Sequence, residues 1–341
     1  MEKDGTLGNV PFNLAFFYGM YYPLMVELLG FLKILLRRRF PFKFVYSDEY
    51  WLDLGNHVFP VKKYRLIYEA LLRMGATREN FILPQYARDE DLLLVHTSKY
   101  LKKLKSGSLS HTEILALELP FSPELAKFGW LFVGGTITTA ETALKEGLAV
   151  HVGGGFHHAF PDHGEGFCVL NDVAVAAEKL KKEGKVEKFM VVDCDLHQGN
   201  GTSYILAKKE YAFTFSIHQM DNYPALKPAS SVDIGLWSGD GDDKYLSSIR
   251  SHFPALYEQF KPDLIFYLAG ADPYESDRLG NLKLTVEGLR ERDKIIIEGA
   301  RRFRIPVAVL LAGGYATDVA DTVSIHLNTI MVAQRAQRKY S

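Results

Sequence analysis

Phe189-Met190-Val191-Val192-Asp193-Cys194-Asp195-Leu196-His197-Gln198-Gly199-Asn200-Gly201 is the stretch around which the chain is organised. Its first four residues are apolar, as in a strand buried on both faces. Asp193, Asp195 and His197 then alternate, and in an extended chain such residues share one side. Two carboxylates and an imidazole therefore converge where a core strand ends, and the glycines that follow turn the chain. Open α/β sheets bind ligands at the carboxyl ends of their strands. A single Asp after a strand is ordinarily a turn or cap residue. Three ligand-type residues on one side are harder to read that way, and a metal would relieve the repulsion between the carboxylates.

Outward from this stretch, residues 44–46, 148–152, 213–217, 263–269 and 306–312 read as further short apolar strands. Helical spacing separates them. It runs over Val61 to Met74, stopped by Gly75, then from a Thr97 cap through Lys105, and from Ser122-Pro123-Glu124 to Lys145. It resumes over 172–182, from about Thr202, and over 245–260, 286–303 and 317–336. Strand-then-helix alternation predicts a parallel sheet with helices on both faces, an α/β three-layer sandwich. No repeat or linker follows residue 42, so residues 42–341 are expected to form one domain.

Residues 1–41 differ. From Val10 to Leu36 they are mostly apolar and aromatic, interrupted by Pro11, Asn13, Pro23, Glu27 and Lys33 and closed by Arg37-Arg38-Arg39. Three placements remain open for residues 10–39: packing on the domain or on a second subunit, lying in a membrane interface with the arginines at headgroups, or spanning the bilayer. The start, Met1-Glu2-Lys3-Asp4, lacks the basic region of a secretory signal. A formal net charge of −1 gives no reason to expect nucleic-acid binding. Two cysteines, Cys168 and Cys194, make no disulfide framework and suit a reducing compartment, so the expected location is the cytoplasm, with the membrane surface as its variant.

Three more strand ends carry chemistry. Gly153-Gly154-Gly155-Phe156-His157-His158 has glycines for close backbone approach but lacks the Gly-Lys-Ser/Thr of a phosphate loop. Its His pair suits acid–base work. Gly270-Ala271-Asp272 adds a third carboxylate, and Gly313-Gly314-Tyr315 adds a phenol. Asp195, His197 and Asp272 make three N/O ligands for a divalent metal with a position left for water. His157 and His158 stand as bases, and Tyr315 as an oxyanion donor. Together they are the parts of metal-assisted hydrolysis at a carbonyl.

These motifs, with Gly164-Glu165-Gly166-Phe167-Cys168-Val169-Leu170-Asn171-Asp172 and Asp277-Arg278-Leu279-Gly280, occur in an order that resembles the zinc-dependent histone deacetylase family over roughly residues 43–335. His197-Gln198-Gly199-Asn200-Gly201 and Gly134-Gly135-Thr136-Ile137 are most similar to its class IV branch. The resemblance implies the arginase/deacetylase fold, with a central parallel sheet of about eight strands. It implies zinc on Asp195, His197 and Asp272, with Fe(II) also compatible with that ligand set. It implies a dyad of His157, oriented by Asp193, and His158, partnered by Asn200, where an amide makes His158 less basic. His158 would activate water together with zinc, and Tyr315 would polarise the carbonyl and hold the oxyanion. Phe167, with Gly166 beneath it, would wall the acyl-lysine channel. A K⁺ site is implied near Asp193, Asp195, His197, Ser216 and Ile217.

The expected reaction is hydrolysis of the amide of N-ε-acyl-lysine. The class IV resemblance extends the acyl group to long fatty chains, which an apolar N-terminus near a membrane would suit. Arginase-like two-metal chemistry needs a second Asp where this chain has Tyr274. Deacetylation of a small acetylated amine, such as an acetylpolyamine, is the nearer alternative. Polyamine-selective members can place an acidic residue where this chain has Leu279. A non-catalytic, membrane-tethered scaffold is the remaining one. Oligomeric state is not readable from these residues.

Overall fold

Parallel strands covered on both faces read as unbroken apolar runs, and that rule accounts for the centre of this molecule. In the computed structural model, which describes residues 40–341, β3 (Leu148–His151), β4 (Phe189–Asp193), β7 (Leu264–Leu268) and β8 (Val307–Leu310) are buried at every position. Each large apolar side chain removed from water there stabilises the fold by roughly 1.5–3 kcal/mol. With β1 (Lys43–Val45), β2 (Phe81–Ile82), β5 (Ala212–Gln219) and β6 (Val232–Leu236) they form one eight-stranded parallel sheet in the order β2-β1-β3-β8-β7-β4-β5-β6. The expected α/β architecture and strand count are both found.

Two strands escaped the sequence pattern, and both are edges. β2 has two half-buried residues. β6 alternates exposed with half-buried positions before Leu236. An edge strand has one neighbour and partial cover, so it carries no apolar run. Two expected helices are interrupted. The 245–260 helix is two, Asp242–His252 and Ala255–Phe260, because Pro254 between them has no N–H to continue the ladder. The 286–303 helix contains a π-helical turn over Lys294–Glu298. A short helix at His111–Leu117, closed by a Ser110/Glu113 capping box, was not foreseen.

Among the described residues the core begins at Phe40. Phe40 is buried, packs edge-on against Phe42 and Phe44, and its carbonyl accepts from Asn80 Nδ2 at 3.1 Å. The apolar and arginine residues 10–39, and the placements considered for them, lie outside the described residues. Among the described residues no helix is long and apolar enough to cross a membrane. Cys168 and Cys194 are both buried free thiols.

Candidate active site

Sheet order decides where ligands go. From β4 the chain continues to β5 and β6 on one side, while β7 and β8 lie on the other. The carboxyl ends of β4 and β7 therefore flank a switch point, the position where open α/β sheets bind ligands. Asp195 follows β4, Asp272 follows β7, Tyr315 follows β8 and the His157–His158 pair follows β3. Four adjacent strands thus deliver the three expected zinc ligands, the histidine pair and Tyr315 to one place.

The convergence after β4 is real, but its cause is not an extended chain. The strand ends at Asp193, and the next residues step through turns in which Asp193 Oδ1 accepts from the Asp195 amide and Asp195 Oδ1 from the His197 amide, each at 3.1 Å. These self-bonded turns aim the side chains. Ligand atoms of Asp195, His197 and Asp272 all lie within 4.8 Å of one another, and all three residues are buried. His197 Nδ1 is 3.3 Å from Asp195 Oδ1 and 3.6 Å from Asp272 Oδ2.

The cluster fits a divalent cation on its own terms. Asp272 Oδ1 accepts from the Leu196 amide at 3.0 Å, but its Oδ2, wholly buried, has no hydrogen-bond partner. A buried carboxylate oxygen without a partner is expensive. Burial, and then the facing Asp195, raise the Asp272 pKa to about 7. Burial disfavours charge on His197, yet Asp195 and Asp272 outweigh it and raise its pKa to about 10. A cation among these atoms would answer both carboxylates and the orphan oxygen. The N/O donor set suits Zn(II) or Fe(II).

Next to the cluster lies the histidine pair. His157 Nδ1 is 2.7 Å from Asp193 Oδ2, and His158 Nδ1 is 2.7 Å from Asn200 Oδ1. A carboxylate and an amide oxygen only accept, so both Nδ1 atoms donate. The two Nε2 atoms then face each other at 3.0 Å, a distance that requires one proton between them. Burial opposes charge on His157, but Asp193 and Asp195 raise its pKa to about 9. Burial, and then the charges of His157 and His197, push His158 well below the usual imidazole range. The shared proton therefore resides on His157, which donates it to the lone pair of His158 Nε2.

The loop carrying this pair is clamped from behind. Asp172 accepts from the amides of Gly155 and Phe156 at 3.0 and 2.7 Å and from the Thr136 hydroxyl. A side chain at Gly154, whose φ is +75°, would meet His151 Nδ1 at 2.6 Å. His151 is in turn held by Tyr50 at 2.6 Å and Thr136 at 3.0 Å, and burial takes its pKa down to about 3. The three glycines thus serve close approach, as expected.

A cavity of about 180 Å³ leads to the cluster. Phe167, Tyr223, Asn222 and Leu279 line its sides with Gly166, while Glu118 stands nearer the solvent. Phe167 holds a left-handed φ of +67°, and its amide donates to Leu117 O at 2.9 Å. Such a conformation in a non-glycine residue persists only where the surroundings enforce it. Tyr315 is buried in the wall of this cavity. Its amide donates to Asp277 Oδ2 at 2.7 Å, and Arg278 Nε donates to its carbonyl at 3.2 Å. Burial, then Asp195 and Asp272, keep the phenol far above its usual pKa, so it donates a proton in hydrogen bonds rather than losing it. Ser216 is the register partner of Asp193 across β4 and β5, with Ile217 the next residue along β5.

Sequence reasoning missed five supporting groups. Lys63 is fully buried, donates to Ala312 O at 2.7 Å, and lies 5.7 Å from the centre of the Tyr315 ring. Burial lowers its pKa to about 8 against the pull of Asp272, Asp195 and Asp277. Arg292, also fully buried, donates to Gly270 O at 2.6 Å and Cys194 O at 3.2 Å and pairs with Asp293. Both cations sit in helices, Lys62–Arg73 and Val286–Asp293, whose spacing singles out neither residue. Tyr223 packs edge-on against His158 and His197, with centroids 5.0 and 6.0 Å away. It and the Asp277 carboxylate come from loops without periodicity. Glu165 lay inside a quoted motif without a role.

Residues 57–330 match the family model described as the histone deacetylase domain. An uncharacterised protein of a Picosynechococcus species is 39% identical over 287 residues, 84% of this chain and 96% of that relative. Histone deacetylase 2 of Arabidopsis thaliana is 30% identical, over 82% of this chain and 76% of its own. The acetoin utilization protein AcuC of Staphylococcus aureus (strain MRSA252) is 29% identical, over 73% of this chain and 70% of its own.

Proposed function

Because this chain belongs to the histone deacetylase family and is a deacetylase-type hydrolase, we propose that it hydrolyses the amide of N-ε-acyl-lysine with Asp195, His197 and Asp272 as metal ligands. One observation carries this reading: the partnerless Asp272 Oδ2 in a three-ligand cluster, beside a histidine pair that shares one proton, beneath a cavity walled by Phe167. Zinc, the favoured ion over Fe(II), would supply Lewis acidity and a more acidic water. His158 exchanges the hydrogen bond it accepts from His157 for one from water and takes the water proton at Nε2 as the oxygen adds to the amide carbon. The Tyr315 hydroxyl donates to the oxygen that becomes anionic. His157, held charged by Asp193, supports the developing negative charge, and the dyad returns a proton to nitrogen as the C–N bond breaks. A K⁺ near Asp193, Asp195, His197, Ser216 and Ile217 would steady the β4 and β5 ends.

A second reading has its own support. The Glu118 carboxylate stands at the cavity mouth, where it would attract the free ammonium of a small acetylated diamine. The deciding experiment measures kcat/KM on matched acetyl-lysine and myristoyl-lysine peptides and on an acetylated diamine, with zinc-loaded and chelated protein. Myristoyl preference supports the class IV likeness, and acetyl preference a conventional deacetylase. Preference for the diamine replaces the lysine reading, and activity on none leaves the scaffold. Residues 1–41 are proposed as an extension of a cytoplasmic enzyme that packs on the domain or lies at the membrane surface.

A further inference from the structure

Glu165 takes no part in the chemistry above, yet it touches the machinery at two points. Its Oε1 accepts from Asn200 Nδ2 and from the Tyr223 hydroxyl, each at 2.7 Å. Its Oε2 lies 3.4 Å from His163 Nε2, and His163 is held on its other side by Asp162. Burial works against charge on Glu165, but hydrogen bonds from His163, Tyr223 and Asn200 hold its pKa below the usual range. It is therefore an anion at neutral pH.

An ionised carboxylate can only accept. The Asn200 amide must turn its NH₂ toward Glu165, which leaves Oδ1 toward His158 Nδ1 at 2.7 Å. The opposite amide orientation would set an oxygen against a carboxylate and an NH₂ against His158. In that orientation His158 Nδ1 would accept, its proton would move to Nε2, and the base would be lost. The orientation of an asparagine amide follows from its partners, and here one partner admits a single answer.

We propose that Glu165 is a positioning residue for the hydrolysis, acting through Asn200 to fix His158 as the Nδ1–H tautomer, so that Nε2 keeps its lone pair and serves as the base. This rests on the deacylase reading above. The same carboxylate ties down the Tyr223 ring, which packs edge-on against His158. A hydrogen-bonded partner behind a functional imidazole sets both its tautomer and its orientation.

The test is a reciprocal swap in the zinc-loaded full chain. Glu165→Gln removes the obligatory acceptor, and kcat is expected to fall about tenfold with KM little changed. Asn200→Asp alone sets two carboxylates at hydrogen-bond distance and is expected to lose about as much. The double variant Glu165→Gln/Asn200→Asp restores a donor–acceptor pair and returns an acceptor to His158, so its kcat is expected to recover to near the wild-type value. A merely structural role predicts no such recovery. A double variant no better than the poorer single variant, or a Glu165→Gln enzyme with wild-type kcat, overturns the proposal. Nitrogen-15 NMR of the histidines reads the tautomer without turnover. Wild-type His158 protonated at Nδ1, with a mixture in Glu165→Gln, supports the relay, and a wild-type Nε2–H tautomer overturns it. If no acyl amine is cleaved, the functional reading fails while the tautomer still decides this one.

Discussion

Replacing Gly313 by alanine tests the metal site with one methyl group. Gly313 lies between the proposed aspartate ligands, and its amide donates to Asp195 Oδ2 at 3.0 Å. A Cβ there would stand 2.3 Å from Asp272 Oδ2 and 2.5 Å from Asp195 Oδ2. Real Cβ atoms essentially never come closer than 3.0 Å, so the two oxygens must retreat by at least 0.7 and 0.5 Å. Metal–ligand distances tolerate only about ±0.2 Å. The methyl therefore displaces two of three ligands by more than twice that margin, and zinc affinity is expected to fall at least 10–100-fold, the range seen when ligand support is lost. The assay is competition against a chromophoric chelator, with circular dichroism to show that the fold persists. Gly184→Ala is the control, because that glycine has a φ of +68° but nothing within 4 Å. It should cost about 1 kcal/mol of stability and leave zinc binding unchanged. Wild-type affinity in Gly313→Ala would mean that these two oxygens do not face the metal.

Four other outcomes are expected. Tyr315→Phe removes the oxyanion donor and should lower kcat about 10²–10³-fold, measured on the best acyl-lysine peptide; near-wild-type turnover removes Tyr315 from the mechanism. Asp193→Asn takes away the leading carboxylate that raises His157 against burial, so the alkaline limb of the kcat/KM profile should move to lower pH; an unmoved or raised limb contradicts the shared-proton assignment. Arg292→Met leaves Asp293 buried without its cation and is expected to destabilise the fold by about 3–5 kcal/mol in urea melts; a loss under 1 kcal/mol would show that the pair is not holding the strand ends. Pelleting with anionic liposomes by residues 1–341 but not by 40–341 would support the membrane-surface role of the N-terminal segment, and equal behaviour would count against it.

The legible parts of this molecule are those in which one residue type does one job. β4, β7 and β8 were readable because burial on both faces admits only apolar residues. Asp195, His197, Asp272, the His157–His158 pair and Tyr315 were readable because each follows such a run directly. What could not be read depends on contacts between distant residues. Lys63 reaches Ala312 across 249 positions and Arg292 reaches Cys194 across 98, and nothing local distinguishes these cations from their solvated neighbours. The alternation of Asp193, Asp195 and His197 located the site for a reason only partly correct: the side chains converge through self-bonded turns beyond the strand, not through extension.

Those two buried cations also help to hold the loops that carry so much buried acid. Asp193, Asp195, Asp272 and Asp277 are all buried at the carboxyl end of the sheet. Left to themselves, such carboxylates would be protonated or driven apart. Lys63 and Arg292 bond to main-chain carbonyls: Ala312, just before Gly313; Cys194, just before Asp195; and Gly270, two residues before Asp272. Each of these strand ends is thus held by a cation through its main chain. Lys63 is close enough to feel Asp272, Asp195 and Asp277, yet neither cation bonds to an oxygen assigned to the metal. An Arg292 bonded directly to Asp195 or Asp272 would hold the loops equally well and occupy the ligand atoms. Bonding to carbonyls separates the two tasks, so the ligand geometry is set by the backbone before any ion binds.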